Sequence, residues 1–220
     1  MRVVQPEGSR GSLKWIQRAV NDRPSVIKAA LVLGGLTAEG VEWLSPVRAD
    51  AYAEYRDVAF LERIGSGHLA SALADFWPRR GPQWDALARA DDEILLVEAK
   101  AHVSEMLSPP TAASEKSRRQ IERALAQTIE AFDARPLAAW TDVFYQLANR
   151  YAFLHLLNSR GVPARLALVN FVGDTEMSGP RSSAEWAAAY EVADHVMGLS
   201  RKHPYASRIH HVFVDVQALT

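Results

Sequence analysis

The order of predicted helices and strands favours an α/β fold with a mixed central β-sheet flanked by helices. Two short apolar strands, over residues 83–89 and 94–101, stand close together and predict an antiparallel hairpin. Two further apolar strands, over residues 166–172 and 209–216, are each preceded by a helical pattern. A hairpin followed by helix-linked strands is typical of a mixed sheet, with helices packed on its faces.

Capping and breaking residues delimit the helices of the first half of the chain. Ser12 is a candidate N-cap and Asp50 is another, while Gly34-Gly35 and Gly65 are helix stops. We therefore predict four helices before the hairpin, over residues 12–20, 25–33, 51–64 and 68–75.

The second half continues with helices that frame the two later strands. Residues 114–132 and 182–197 show helical apolar periodicity, and Ser182 with Glu185 forms a capping box at the start of the latter. Residues 141–158 are apolar on several sides, which predicts a buried helix. The strand over 166–172 is almost entirely apolar, as expected of an interior strand.

Length and composition predict one domain. The chain has 220 residues, no cysteine and a net charge of -1. Disulfides and thiolate metal sites are therefore excluded, and the charge is not that of a globally basic nucleic-acid binder. The N-terminus lacks the apolar core of a signal peptide and no run has the length of a membrane span, so we expect a cytoplasmic location and no membrane partner. We interpret residues 1–45 as an N-terminal helical extension and 46–220 as the core.

The register of the hairpin places three charged side chains on one face. If Asp91-Asp92 is a two-residue turn, Ala90 pairs with Glu93 and Asp85 pairs with Glu98. Directly paired residues point to the same face, and residues two apart on a strand share a face. Asp85, Glu98 and Lys100 should therefore form one cluster at the end of an apolar strand.

Asp85 followed by Glu98-x-Lys100 after an apolar strand resembles the PD-(D/E)XK nuclease superfamily, whose members have the restriction-endonuclease-like fold. The residue before Asp85 is Trp84, where the superfamily pattern has proline. Longer stretches resemble bacterial proteins of unassigned function with this type of core. These stretches are Gly11–Gln17, Phe76–Ala86 and Val97–His102.

The resemblance implies a restriction-endonuclease-like sandwich and a magnesium-dependent phosphodiesterase, with manganese able to replace magnesium. Asp85, Glu98 and the carbonyl group of Ala99 would bind the cation, and Lys100 would orient the attacking water or neutralise charge on the phosphate. The implied substrate is nucleic acid, with DNA favoured over RNA. The superfamily core also has three strands before its crossover helix, and we place the missing one near Phe76-Trp77 or within residues 68–75.

A fourth catalytic candidate is Glu54, which the predicted helix 51–64 aligns with Val58 and Leu61 on an inward stripe. An acid on such a stripe needs a partner, and a metal site would provide one. Asp57 and Glu62 are the competing acids on this helix.

Five side chains are candidates for contact with nucleic acid. Gln146 and Arg150 lie on one side of an otherwise apolar helix, and His102 shares the strand face of Lys100. Lys116 and Arg119 belong to a basic stripe on the predicted helix 114–132, which follows the strand of Lys100. Each has a plain structural interpretation as well, as a helix-surface, capping or strand-end residue.

Two other functions remain open at this stage. The chain could be a catalytically inactive module that binds nucleic acid or protein on the same fold, although the intact Asp85, Glu98 and Lys100 argue against it. It could also be a structural interaction protein in which the charges of the hairpin are incidental. A homo-oligomer is compatible with either.

Overall fold

The computed structural model of the protein describes residues 1–37 and 40–220. Its strands in chain order are β1 (Arg2–Val3), β2 (Glu42–Ser45), β3 (Glu54–Tyr55), β4 (Ala86–Ala90), β5 (Glu93–Lys100), β6 (Ala164–Val172) and β7 (Ile209–Asp215). Its α-helices are α1 (Gly11–Asn21), α2 (Pro24–Leu33), α3 (Asp57–Arg63), α4 (Ala70–Phe76), α5 (Glu115–Ala131), α6 (Tyr145–Ser159) and α7 (Ser183–Met197). The predicted α/β class is confirmed.

The central sheet has five strands in the order β2-β4-β5-β6-β7. The pairs β2–β4 and β4–β5 are antiparallel, whereas the pairs β5–β6 and β6–β7 are parallel, so the sheet is mixed as predicted. Helices α5 and α6 connect β5 to β6, and α7 connects β6 to β7, because parallel neighbours need a crossover connection.

The hairpin of β4 and β5 has the predicted register. Asp91-Asp92 forms the turn, and Ala90 lies opposite Glu93 and Leu87 opposite Leu96. Asp85 falls one residue before β4 begins, where the same register leads to Glu98.

Alternation along β5 gives the sheet two apolar faces. Ile94 and Leu96 point to the face covered by helices α3 to α7, while Leu95, Val97 and Ala99 point to the face covered by α1 and α2. The first 33 residues thus supply both α-helices of one layer of the sandwich, and residues 42–45 supply an edge strand of its sheet.

The helix predicted over residues 51–64 is wrong in its first half. A 3₁₀ turn covers 48–50, Glu54 lies on β3, and α3 begins only at Asp57. Ala51 and Tyr52 have positive φ angles of 50° and 51°, which no α-helix accommodates. The pairing of β3 with β1, some fifty residues earlier in the chain, overrides the local helical pattern.

The third strand before the crossover was predicted in the wrong place. Phe76 is the last residue of α4, and Trp77 follows that helix. The strand that completes the antiparallel part of the sheet is β2, which pairs with β4. Its four residues were too short a run to be distinguished from the loop after α2.

No helix in the described part of the chain is long and apolar enough to cross a membrane.

The contribution of α2 to the stability of the fold can be tested by mutation. Ile27 on α2 is fully buried, whereas Leu33 at the end of the same helix is 90% exposed. Ile27→Ala should lower the free energy of unfolding by about 2–5 kcal/mol, because a buried cavity replaces packed methyl groups. Leu33→Ala is the matched control and should change it by less than about 0.5 kcal/mol. Urea-induced unfolding measures both, and equal effects would contradict this role of α2.

Candidate active site

A backbone bridge outside the central sheet brings Glu54 to the end of β4. Tyr55 pairs with Trp84 in an isolated antiparallel bridge, and the Trp84 amide donates to the Tyr55 carbonyl at 3.2 Å. Glu54 is buried next to this bridge, and its carboxylate accepts hydrogen bonds from Gln83 at 2.5 Å and from Gln5 at 3.0 Å. Glu54 therefore belongs to the site, but a strand positions it and not the predicted helix.

The end of β5 presents Glu98 and Lys100 on the face covered by α6. Both side chains are buried, with exposed fractions of 1% and 7%. The Lys100 ammonium group donates to Glu98 Oε1 and, at 3.0 Å, to Gln146 Oε1. The predicted sharing of one strand face is confirmed by these contacts.

Asp85 lies across from this strand end and is only partly buried. Its Oδ2 accepts a hydrogen bond from the Ala99 amide at 2.7 Å. This bond anchors the carboxylate beside the backbone between Glu98 and Lys100. The structure thus brings together all three residues that the hairpin register predicted.

Helix α6 holds Glu98 and Lys100 of β5 with two of its own side chains. Gln146 contacts Lys100, and Arg150, one turn later, donates from Nε to Glu98 Oε2. Residues four apart on a helix are separated by about 6 Å and residues two apart on a strand by about 7 Å, so the two pairs match in spacing.

Arg150 is fixed in place on every side. Its exposed fraction is 3%. Besides Glu98 it donates to the Gln83 carbonyl at 2.8 Å and to Asn149 Oδ1 at 3.1 Å. The guanidinium carbon lies 4.9 Å from the centre of the Trp84 ring, a cation–π contact. Both oxygens of Glu98 are therefore held by cations.

The carboxylates influence one another through their charges. Burial would raise the pKa of Glu98, but Arg150 and Lys100 outweigh burial and lower that pKa below its usual value. Burial, and then the charge of Glu98, raise the pKa of Asp85 well above its usual value, and Glu54 adds to this rise.

The pKa of Glu54 lies near neutrality. Burial, assisted by the charge of Glu98, raises it from 4.5 to about 7, although Gln83, Arg150 and Gln5 act in the opposite direction. Perturbed carboxylates that share one place in a fold mark a candidate functional site.

An open cleft of about 590 Å³ lies against this cluster. Asp85, Ala99 and Lys100 line it from the sheet, and Tyr145, Gln146 and Asn149 line it from α6. The loop over residues 107–112, Glu105 and Ser12 of α1 complete its walls. Glu54 and Glu98 are buried and are not among the described residues that line the cleft.

The remaining predicted contacts to nucleic acid lie elsewhere or have other partners. His102 and Glu105 form the capping box of a 3₁₀ helix over 103–106. Lys116 and Arg119 are exposed on α5, and both line a separate surface depression with other charged residues of that helix. Ser12 does not cap α1, since it lies inside the helix and donates to Glu105 at 2.9 Å.

Three further residues of the site did not emerge from the sequence. Gln5 and Gln83 bind Glu54, and Tyr145 lines the cleft. Gln83 stands two residues before Asp85, and Tyr145 stands next to Gln146. Their positions beside predicted site residues could therefore have identified both from the sequence. Gln5 reaches the site only through the pairing of β1 with β3.

Within residues 1–37 and 40–220, no three His, Asp or Glu side chains already form a ligand set for a metal ion. Comparison with protein-family models, with curated proteins and with solved structures found no match to this chain. The chemistry of the cluster must therefore be inferred from its own residues.

Arg150 leads to a prediction about stability. Arg150→Met should lower the free energy of unfolding by about 3 kcal/mol, because it leaves Glu98 buried with one cation instead of two. Adding Glu98→Gln should recover part of this loss, since the carboxylate that has lost one of its two cations is then removed, while Gln146 still binds Lys100. Urea-induced unfolding of the single and double variants measures the coupling.

Arg118→Met is the matched control, because the Arg118–Glu122 pair on α5 is exposed. Exposed pairs contribute little, so this variant should stay within about 0.5 kcal/mol of the parent. A double variant that is no more stable than Arg150→Met would contradict the assigned contact between Arg150 and Glu98.

Glu54 leads to a prediction about pH. Its pKa in the folded state, about 7, lies above the usual 4.5, so the folded chain binds the extra proton between these values. The stability contributed by neutral Glu54 is therefore present at low pH and is lost as the pH rises through about 7. Glu54→Gln should be more stable than the parent at pH ~8, by up to about 3 kcal/mol, and the difference should shrink towards pH ~5.

Thermal unfolding across this pH range measures the difference in stability. Glu62→Gln is the control, because Glu62 is exposed on α3. A gain from Glu54→Gln that stays constant across the range would show that the titration of Glu54 does not control stability.

Proposed function

We propose that this protein is a divalent-metal-dependent phosphodiesterase that acts on nucleic acid, a DNA nuclease of the PD-(D/E)XK kind. The observation that carries the proposal is the placement of Asp85, Glu98 and Lys100 at one strand end beside an open cleft. Glu54 adds a third carboxylate that interacts with the other two through its charge.

The topology supports the finer fold assignment within this proposal. Three antiparallel strands, β2, β4 and β5, precede the crossover helices that lead to β6, and the candidate residues lie at the end of the hairpin. This is the arrangement that the resemblance to the restriction-endonuclease-like fold implies. Because one fold supports many activities, the site residues carry the functional part of the proposal.

The donor set fits magnesium. Asp85, Glu98 and the Ala99 carbonyl are hard oxygen donors, with Glu54 nearby, and magnesium prefers few such ligands together with water. Burial, and to a smaller extent the charges of the neighbouring carboxylates, raise the pKa values of Asp85 and Glu54, and a cation would offset both effects. A bound cation would polarise the scissile phosphate and lower the pKa of a water molecule.

Lys100 and its partners supply the rest of the chemistry. Its ammonium group lies between Glu98 and Gln146. If a cation takes Glu98 Oε1, Gln146 can still hold Lys100 at the edge of the cleft. From there Lys100 would orient water or neutralise the charge that develops on phosphate. Arg150 would keep Glu98 in position through its other oxygen.

The two ion pairs of Glu98 favour a second candidate function. Glu98 is paired with both Lys100 and Arg150, so the site already balances its most buried acid without a metal ion. A binding module that lacks catalysis, for nucleic acid or protein, would have the same internal ion pairs. The two functions differ in whether a divalent cation stabilises the folded protein.

Magnesium titration separates them. Metal that binds only the folded state should stabilise it by about 2.7 kcal/mol at a hundredfold excess over the dissociation constant. Asp85→Asn should abolish the magnesium-induced rise in Tm, whereas Asp92→Asn in the exposed hairpin turn should retain it. Absence of any rise with magnesium or manganese would favour the inactive module.

Lys100→Ala tests the catalytic step separately from metal binding. Lysine acts on water and phosphate, so the variant should retain the magnesium-induced rise in Tm and lose cleavage of labelled DNA by about a hundredfold or more. Cleavage at the parental rate would show that the assigned role of Lys100 is wrong.

A further inference from the structure

The walls of the cleft are mostly neutral. Among the described residues that line it, Lys100 is the one lysine or arginine, and its charge is taken up by Glu98. The acids of the lining are Asp85 and Glu105, and Glu105 is itself bonded to Ser12 and to the Ala101 amide. Apart from these groups the cleft presents hydroxyl, amide, aromatic and apolar surface.

Such a lining does not suit a double helix. Duplex DNA presents phosphates on its outside, and proteins that bind it neutralise several of them with lysine and arginine. A site that stacks an aromatic ring on a base needs that base to be unpaired and unstacked, since a duplex covers the faces and the Watson–Crick edges of its bases.

One side of the cleft offers a flat surface to a base. Tyr145 lines the cleft, and its ring is stacked on Trp77, with centroids 6.4 Å apart and planes 18° apart. Pro109, Pro110 and the exposed Leu107 lie on the loop that is hydrogen-bonded to the start of α6. A tyrosine held rigidly by a second aromatic ring is a stacking platform for bases of any sequence.

Two amides beside Tyr145 have a defined orientation. Gln146 Oε1 accepts from Lys100 and Asn149 Oδ1 accepts from Arg150. Lysine and arginine can only donate, so the amide oxygens must face them and the NH₂ groups must face away. Both residues line the cleft, so these NH₂ groups are donors for acceptor atoms on a base edge.

From this lining we infer that the cleft binds unpaired nucleotides of a single strand. One base stacks on Tyr145, its edge accepts hydrogen bonds from Gln146 and Asn149, and the adjoining phosphodiester lies towards Asp85 and Lys100. Only the last of these placements rests on the proposed nuclease function. The shared chemistry of stacking and base-edge contacts applies to single-stranded DNA and RNA alike.

Fluorescence anisotropy of labelled strands tests the inference. The Asp85→Asn protein keeps the strands intact, and the probes are single-stranded DNA, the matching RNA and the same DNA annealed to its complement. We expect a single strand to bind about tenfold more tightly than the duplex, or better. Tyr145→Ala should weaken single-strand binding about tenfold or more, because base stacking on the ring is lost. Tyr145→Phe should restore it.

Two further variants guard against a loss of folding. Asn149→Ala should weaken single-strand binding several-fold without removing the platform. Tyr52→Ala is the matched control, since Tyr52 contacts Arg48 and is not among the residues that line the cleft. It should leave binding unchanged. The DNA and RNA probes show which sugar is preferred, and tight binding of either through Tyr145 supports the inference.

Duplex binding as tight as single-strand binding, or parental affinity in both Tyr145→Ala and Asn149→Ala, would overturn the inference. The nuclease proposal is judged separately. Magnesium-dependent cleavage of duplex without preference for single strands leaves the nuclease standing and removes this inference. Single-strand binding through Tyr145 without any magnesium-induced rise in Tm leaves this inference standing and removes the nuclease.

Discussion

The charge of Glu98 is the constraint on which the rest of the site depends. A carboxylate that is 99% buried at the end of an interior strand is costly unless cations and hydrogen bonds surround it. Lys100 comes from the same strand, two residues later, and Arg150 comes from the helix packed on that face. Their positive charges lower the pKa of Glu98 and keep it ionised. Strand β5 and helix α6 therefore both supply a cation to one buried acid.

That arrangement also explains why the other acids are poised differently. Burial raises the pKa values of Asp85 and Glu54, and the cations paired with Glu98 offset this rise only in part. Asp85 reaches the cleft, where it is open to a ligand, while Glu54 depends on two glutamines. Lys100 and Arg150 also donate to the amide oxygens of Gln146 and Asn149, two residues that line the cleft. The buried ion pairs of Glu98 thus influence which charged and polar groups line the cleft.

The accuracy of the sequence-based predictions follows the range of the interactions involved. The hairpin register depends on a two-residue turn and on alternation, both local, and it placed Asp85, Glu98 and Lys100 together. Glu54 was identified as an acid of the site but on the wrong element, because β1 pairs with residues far along the chain. Strand β2 was missed since its four residues carry little periodicity of their own.

The sequence by itself determined the α/β class, most helix and strand positions, and the strand face shared by Glu98 and Lys100, because these follow from periodicities of two and 3.6 residues. Only the tertiary structure decided that Arg150 and Gln146 face the strand residues, that Glu54 joins them, and that Tyr145 lines the same cleft. These contacts join residues about 50 positions apart. Side chains on helices and strands meet only when these elements pack against each other, and the local periodicity of the sequence does not indicate how they pack.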